Sequence, residues 1–350
     1  MAITDLIFAT GLETGDLRVM DLQQGGLITT DVTRHPDSLY SMRAGGTGGM
    51  GFFNVASVPA TSEIFVSFGV YWNDASLPTA DGSQDGMFQF SETLGASEAG
   101  THIIITPDSG FLAAYRGRAV GGQPDTQLAL SAIPFSPQVW YYLEIYMLIA
   151  DAGGRVVVRQ NDTEILNFTG DTRDGSTGVG NRLGWGTPQH FRIDDIVCRN
   201  VSGVPVTWPG DKKLVGIVPN GIGDFTEWNR GGADSGNNWS QVEERPPTND
   251  TDYVTTAALN QRDLYTFGDV DAAFHTIDAI VSWLLARKDD AGSASVAHLL
   301  KSGVTLDTGA DLSLSTTYQY LDRFYETDPD TGAAWTLGAV NAVQAGPKSR

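Results

Sequence analysis

The sequence predicts an all-β protein built from two β-sandwich domains of jelly-roll type, and three observations carry that prediction. From Trp140 to Thr169 a strand, a glycine turn, a valine-rich strand and an Asn-Asp break follow one another as a β-meander. Short apolar stretches recur through the first part of the chain, separated by Gly, Asp and Ser at the roughly eight-to-twelve-residue spacing of sandwiches. The 350 residues include 41 glycines and 15 prolines with 41% hydrophobic residues, a turn-rich composition with ample core material and a length that suits two domains.

The elements follow in order. Leu6-Ile7-Phe8 starts a strand that runs into the turn around Gly11 and Gly15. Residues 44–49 (AGGTGG) make a flexible loop; their spacing fits neither a P-loop nor a dinucleotide fingerprint. Glu63 to Trp72 is a strand apolar on nearly both faces, and Gly86–Phe90, Thr101–Thr106 and Phe111–Tyr115 are shorter ones. In the meander, side-chain alternation sets Leu143, Ile145, Met147 and Ile149 on one face. Trp140, Tyr142, Glu144, Tyr146 and Leu148 take the other. His190 to Arg199 closes the first half. Residues 200–211 (NVSGVPVTWPGD) carry two prolines and two glycines and are read as the joint, giving domains 1–203 and 204–350.

In the second domain, strands are expected at Leu214–Val218, Tyr253–Thr256, Leu264–Phe267, Val296–Leu300, Leu312–Ser315, Tyr318–Phe324 and Trp335–Val343. Phe274 to Lys288 fits both a period of two and a helical face; its β-rich surroundings favour a strand.

Charge and composition exclude several classes. A net charge of -20 sets a repulsive field against nucleic acid. No apolar run approaches the roughly 18 residues of a membrane-spanning helix, and Met1 to Asp5 shows no signal peptide. The single cysteine, Cys198, rules out a disulfide framework and reads as a packed core residue. The five histidines (His35, His102, His190, His275 and His298) have no metal-ligand spacing, so neither a metal nor a cofactor is expected.

Three arrangements resemble chemistry. Asp81 to Glu92 spaces its oxygen ligands as a calcium loop does, but on strand-like flanks, and reads as an ordinary turn. Asp307-Thr308-Gly309 and Asp330-Thr331-Gly332 repeat an aspartic-protease tripeptide too closely to head two lobes. Glycoside cleavage needs two facing carboxylates, and Glu144 has no partner at alternating strand positions, while Asp194 and Asp195 point to opposite faces. The chain is therefore expected to have no catalytic residues. Tyr142 and Tyr146 on one strand face, with Trp185 near a strand end, are the candidates for stacking on sugar rings.

Trp140 to Leu166 and the closing HFRIDDIVC of residues 190–198 resemble the meander and last strand of concanavalin A-like, laminin G-like jelly rolls. Residues 208–211 (WPGD), Phe225-Thr226-Glu227-Trp228, Asn238-Trp239, Asp252-Tyr253-Val254 and residues 329–336 (PDTGAAWT) are similar to the C-terminal part of structural proteins of tailed bacteriophages and gene transfer agents. The resemblance implies a non-enzymatic virion component on the particle exterior: head decoration, head spike or fibre, or tail or neck fibre. It also implies capsid, portal-proximal or tail proteins as partners, a homo-oligomer, and attachment to host cell-surface glycans. A polysaccharide-cleaving jelly roll and a free carbohydrate-binding module are the alternatives.

Overall fold

The computed structural model describes residues 5–20, 27–43, 53–75, 87–92, 100–118, 124–175, 177–186, 191–203, 208–232, 236–271, 273 and 276–350. Residues 44–49, positions 81–86 of the calcium-like spacing, His190 and His275 lie outside them. The chain divides into two compact units, residues 5–214 and residues 215–350. Most of the described residues lie in antiparallel strands, so the all-β expectation holds. Among the described residues no helix is long and apolar enough to cross a membrane.

Two sheets face each other in the first unit. In the larger, the order is Thr163–Gly170, Gly154–Gln160, Trp140–Leu148, Glu63–Trp72, Phe191–Asn200, Ser41–Arg43 and Leu27–Thr29, and Leu6–Thr10 also pairs with Phe191–Asn200. The other is six-stranded, ordered Phe53–Thr61, Gly180–Gly186, Phe88–Ser91, Thr101–Asp108, Phe111–Arg118 and Pro124–Pro134. Phe68 of the first sheet meets Phe88 and Trp185 of the second at ring-centroid distances of 5.6 and 6.1 Å, which places the core between the sheets. Leu143 lies opposite Phe68 in the ladder, so Leu143, Ile145 and Met147 face that core and Tyr142, Glu144 and Tyr146 face away. Asn161 and Asp162, at φ of 46° and 66°, make the two-residue turn whose twist suits a hairpin.

The second unit has a six-stranded sheet and two separate ribbons. Its sheet runs Pro219–Thr226, Asp263–Phe267, Gln344–Ser349, Ser295–Ser302 and Thr305–Thr308, with Leu312–Ser313 also on Ser295–Ser302. Ile280–Ala286 pairs with Gln319–Tyr325, so the ambiguous stretch is a strand. That ribbon packs through Ile280 and Tyr325 onto a cluster of Leu300, Trp335, Val340 and Val343. Residues 214–218 do not join a ladder; pairing starts at Pro219. Within the stretch expected as a strand at Trp335–Val343 stands a four-residue helix, Leu337–Val340. Thr336 caps it by accepting the Ala339 N–H, a local bond that competes with strand pairing.

Candidate functional site

None of the three sugar-stacking candidates has a ring open to solvent. Trp185 is fully buried between the sheets, and Tyr142 and Tyr146 are each 2% exposed. The Tyr142 hydroxyl donates to Ser67 Oγ at 2.9 Å, and Tyr146 to Glu63. Burial pushes both phenols above their ordinary range.

What buries them is chain lying across the outer face of the larger sheet. Arg34 stacks over the Tyr142 ring at 4.7 Å and bonds to Asp195, Asp211 and the Lys212 carbonyl. Glu144 accepts the Gly210 N–H at 2.8 Å and pairs with Arg159 at 2.9 Å, while burial raises its pKa. Trp208 sits 5.6 Å from the Phe65 ring with the Arg159 guanidinium over it at 5.1 Å. The last part of the stretch read as a joint is therefore a strap belonging to the first unit, because Gly210 and Leu214 donate to the buried carboxylates of Glu144 and Asp195 and Asp211 pairs with buried Arg34.

Sequence alternation set Asp194 and Asp195 on opposite faces; a bulge changes that. The ladder slips between Asp194 and Val197, Asp195 takes φ of 51°, and both residues are fully buried. Asp194 Oδ2 lies 2.9 Å from Ser38 Oγ, and Asp194 Oδ1 accepts the Asp195 N–H at 2.8 Å. Burial first, then the Asp195 charge, raises its pKa to about 8. Asp195 accepts Arg34 and the Leu214 N–H, with His35 Nε2 3.5 Å away. These groups close on one another and leave no opening for a substrate. Among the described residues no three His, Cys, Asp or Glu side chains form a metal-ligand set.

The outward face of the six-stranded sheet offers a more open arrangement. Phe88, Ile105 and Ala114 stand opposite one another on the core side, which turns Gln89, Ile104, Tyr115 and Gln127 to the other face in a single cross-sheet row. Ile104, Ala113 and Tyr115 form a buried apolar floor there. The Tyr115 hydroxyl donates to Asp108 Oδ2 at 2.6 Å, and Gln127 Nε2 reaches that oxygen at 3.0 Å and the Tyr115 hydroxyl at 3.2 Å. Gln127 is exposed, Asp108 half-buried, and Leu130 beside them is 46% exposed. An exposed amide and a half-buried carboxylate thus lie within hydrogen-bond reach of a buried phenol. Sequence reasoning missed all three. Pro124–Pro134 shows no clean alternation, although the turn Ser109-Gly110 was a usable hairpin signal.

The other sequence candidates have structural partners. Buried His102 accepts the Asp174 N–H at Nδ1 and lies 3.2 Å from the Val179 carbonyl at Nε2, a neutral pairing that burial favours by lowering its pKa. Glu92 accepts the Thr177 N–H at 2.6 Å. Asp307, on the Thr305–Thr308 strand, pairs with Arg323, whereas Asp330 accepts Thr305 Oγ1 at 2.8 Å, so each Asp-Thr-Gly carboxylate has its own partner. In the second unit, buried Asp263 accepts Asn238 Nδ2 at 2.7 Å and the Tyr265 hydroxyl at 2.8 Å; burial lifts its pKa to about 6.

No protein-family model and no curated protein matches the chain. Solved structures do. The cellulose-induced protein Cip1 is 16% identical with a TM-score of 0.39 over 55% of this chain and 96% of that one. An endo-β-1,4-glucuronan lyase from Trichoderma reesei is 12% identical with a TM-score of 0.37, over 52% of this chain and 91% of its own. A carbohydrate esterase from the Shiga toxin-encoding bacteriophage phi24B is 12% identical with a TM-score of 0.39, over 58% of this chain and all of its own. At these identities the likeness bears on fold alone. The expectation of a non-enzymatic protein is withdrawn: structures this chain is similar to include a lyase and an esterase.

Proposed function

We propose that the 5–214 unit binds a polysaccharide through the outward face of its six-stranded sheet, in a protein carried on the exterior of a phage-like particle. One observation carries the binding half: Asp108, Tyr115 and Gln127 form a pre-ordered donor and acceptor set beside exposed Leu130. Sugar hydroxyls need such pairs, and an ordered set binds them with little entropy to lose. The particle half draws on the resemblance at Trp208-Pro209-Gly210-Asp211 and residues 329–336. Capsid or tail proteins would then be its partners, and many copies would turn weak glycan contacts into avidity.

A glycan array probed with multimerised protein tests the binding half. Binding weakened about tenfold in Asp108→Ala and Gln127→Ala is expected, roughly 1.4 kcal/mol. No binding to any glycan by the multimer would end the reading. Mass spectrometry of purified particles tests the other half. Cleavage of the bound glycan is a second reading, favoured by the 2.6 Å contact between the Tyr115 hydroxyl and the Asp108 carboxylate, a distance suited to proton transfer. It predicts product release that Tyr115→Phe abolishes while glycan binding persists.

A further inference from the structure

The Ile280–Ala286/Gln319–Tyr325 ribbon has two unlike faces. Ile280 and Tyr325 belong to the core cluster, Ser282 Oγ lies 3.0 Å from His298 Nδ1, and Arg323 pairs with Asp307, so these positions face the sheet beneath. Strand alternation turns Val281, Trp283, Leu285, Tyr320, Asp322 and Phe324 the other way. None of those six is buried. Five half-buried apolar or aromatic side chains and one charge thus lie side by side on that face.

Its chemistry is specific. Trp283 and Tyr320 meet edge to face, with ring centroids 5.9 Å apart and planes at 85°. That fixes two aromatic surfaces at a right angle, a corner into which the C–H face of a sugar ring fits. Asp322 stands directly across the ladder from Trp283, whose indole carries an N–H donor. A donor and a carboxylate thus flank the rings where sugar hydroxyls would lie. The Asp322 charge and the net charge of -20 disfavour an anionic glycan.

We propose that this outward face is a second glycan-binding platform, on the 215–350 unit, for neutral sugar rings. The proposal shares the glycan-attachment reading above only in its class of ligand. Trp283 supplies the stacking face and an N–H donor, Tyr320 the second wall, and Asp322 an acceptor.

The test is native electrophoresis of the full chain through gels holding dextran, galactomannan or mixed-linkage glucan, with polygalacturonate as the acidic control. Retardation in at least one neutral gel and none in polygalacturonate is expected. Trp283→Ala and Tyr320→Ala should each weaken it about tenfold, and Trp283→Phe should restore much of it. Circular dichroism and sedimentation of each variant report fold and mass. A wild-type chain that no neutral gel retards overturns the proposal, as does retardation that a folded Trp283→Ala leaves intact. A Trp283→Ala chain that changes its oligomeric mass but keeps its retardation also overturns it, and assigns the patch to a protein contact. Retardation lost in Asp108→Ala but kept in Trp283→Ala sinks this platform and spares the first. The reverse pattern does the opposite.

Discussion

Ser38 has one hydroxyl hydrogen and three acceptors around it: Glu13 Oε1 at 3.0 Å, the Tyr40 carbonyl at 2.9 Å and Asp194 Oδ2 at 2.9 Å. A proton on Asp194 resolves the excess, since the carboxyl then donates to Ser38 and frees the hydroxyl for Glu13 or Tyr40. Burial works in the same direction, lifting the folded pKa to about 8, far above the ordinary carboxylate range. A raised acid pKa means that the folded state holds an extra proton, so its contribution is complete below about pH 4 and is lost as pH rises towards about 8. Thermal unfolding of the first unit should therefore weaken across that window, by at most about 1.4 kcal/mol per pH unit. Asp194→Asn, whose amide can still donate to Ser38, should flatten the slope; an unchanged slope would refute the assignment. Asp31, held at about 2 by its bond to Arg192, acts in the opposite sense and only below about pH 4. Alternation set Asp194 and Asp195 on opposite faces, but the bulge at Asp195 depends on partners from distant chain, and no local pattern encodes it.

Among elements, the strap of residues 208–214 decides what the larger sheet can do. Its hold on the sheet runs through Arg34, whose side chain is 6% exposed and pairs with Asp195 on the Phe191–Asn200 strand and Asp211 on the strap. Removing one partner leaves a buried charge uncompensated, which costs about 3–5 kcal/mol. Arg34→Ala should thus destabilise the first unit by that amount and loosen the strap, so that trypsin cuts after Lys212 or Lys213 faster than in the wild type. Gly69→Ala tests the same contact from below, because a Cβ there would lie 2.3 Å from Arg34 Cδ. It should speed the same cleavage, and equal cleavage rates would show that Arg34 does not latch the strap. Strand existence was legible wherever apolar residues alternate or fill both faces, as in Glu63–Trp72 and Trp140–Leu148. Phe53–Thr61 with Pro59, Pro124–Pro134, and Gly180–Gly186 with three glycines went unread. Their strand character comes from neighbours in the ladder instead of from their own propensity. The strap itself was read as a linker because its Pro and Gly content is that of a joint, while its satisfied carboxylates lie far away in sequence.

For the whole molecule, each unit has its own apolar cluster, one around Phe68, Phe88 and Trp185 and the other around Leu300, Tyr325 and Trp335. Units with separate cores are expected to unfold as separate cooperative transitions. The two tryptophans discriminate between them. Trp185 is fully buried, so Trp185→Ala removes the largest side chain of the first core and should cost about 3–5 kcal/mol. For a unit of this size that is a fall of roughly 6–20 °C in one calorimetric peak. Trp335 donates its indole N–H to the Tyr325 carbonyl at 2.8 Å, and Trp335→Phe leaves that buried acceptor without a donor. A cost of about 1–3 kcal/mol should then lower only the other peak. If either substitution moves both peaks together, the assignment of one cooperative transition to each unit is refuted.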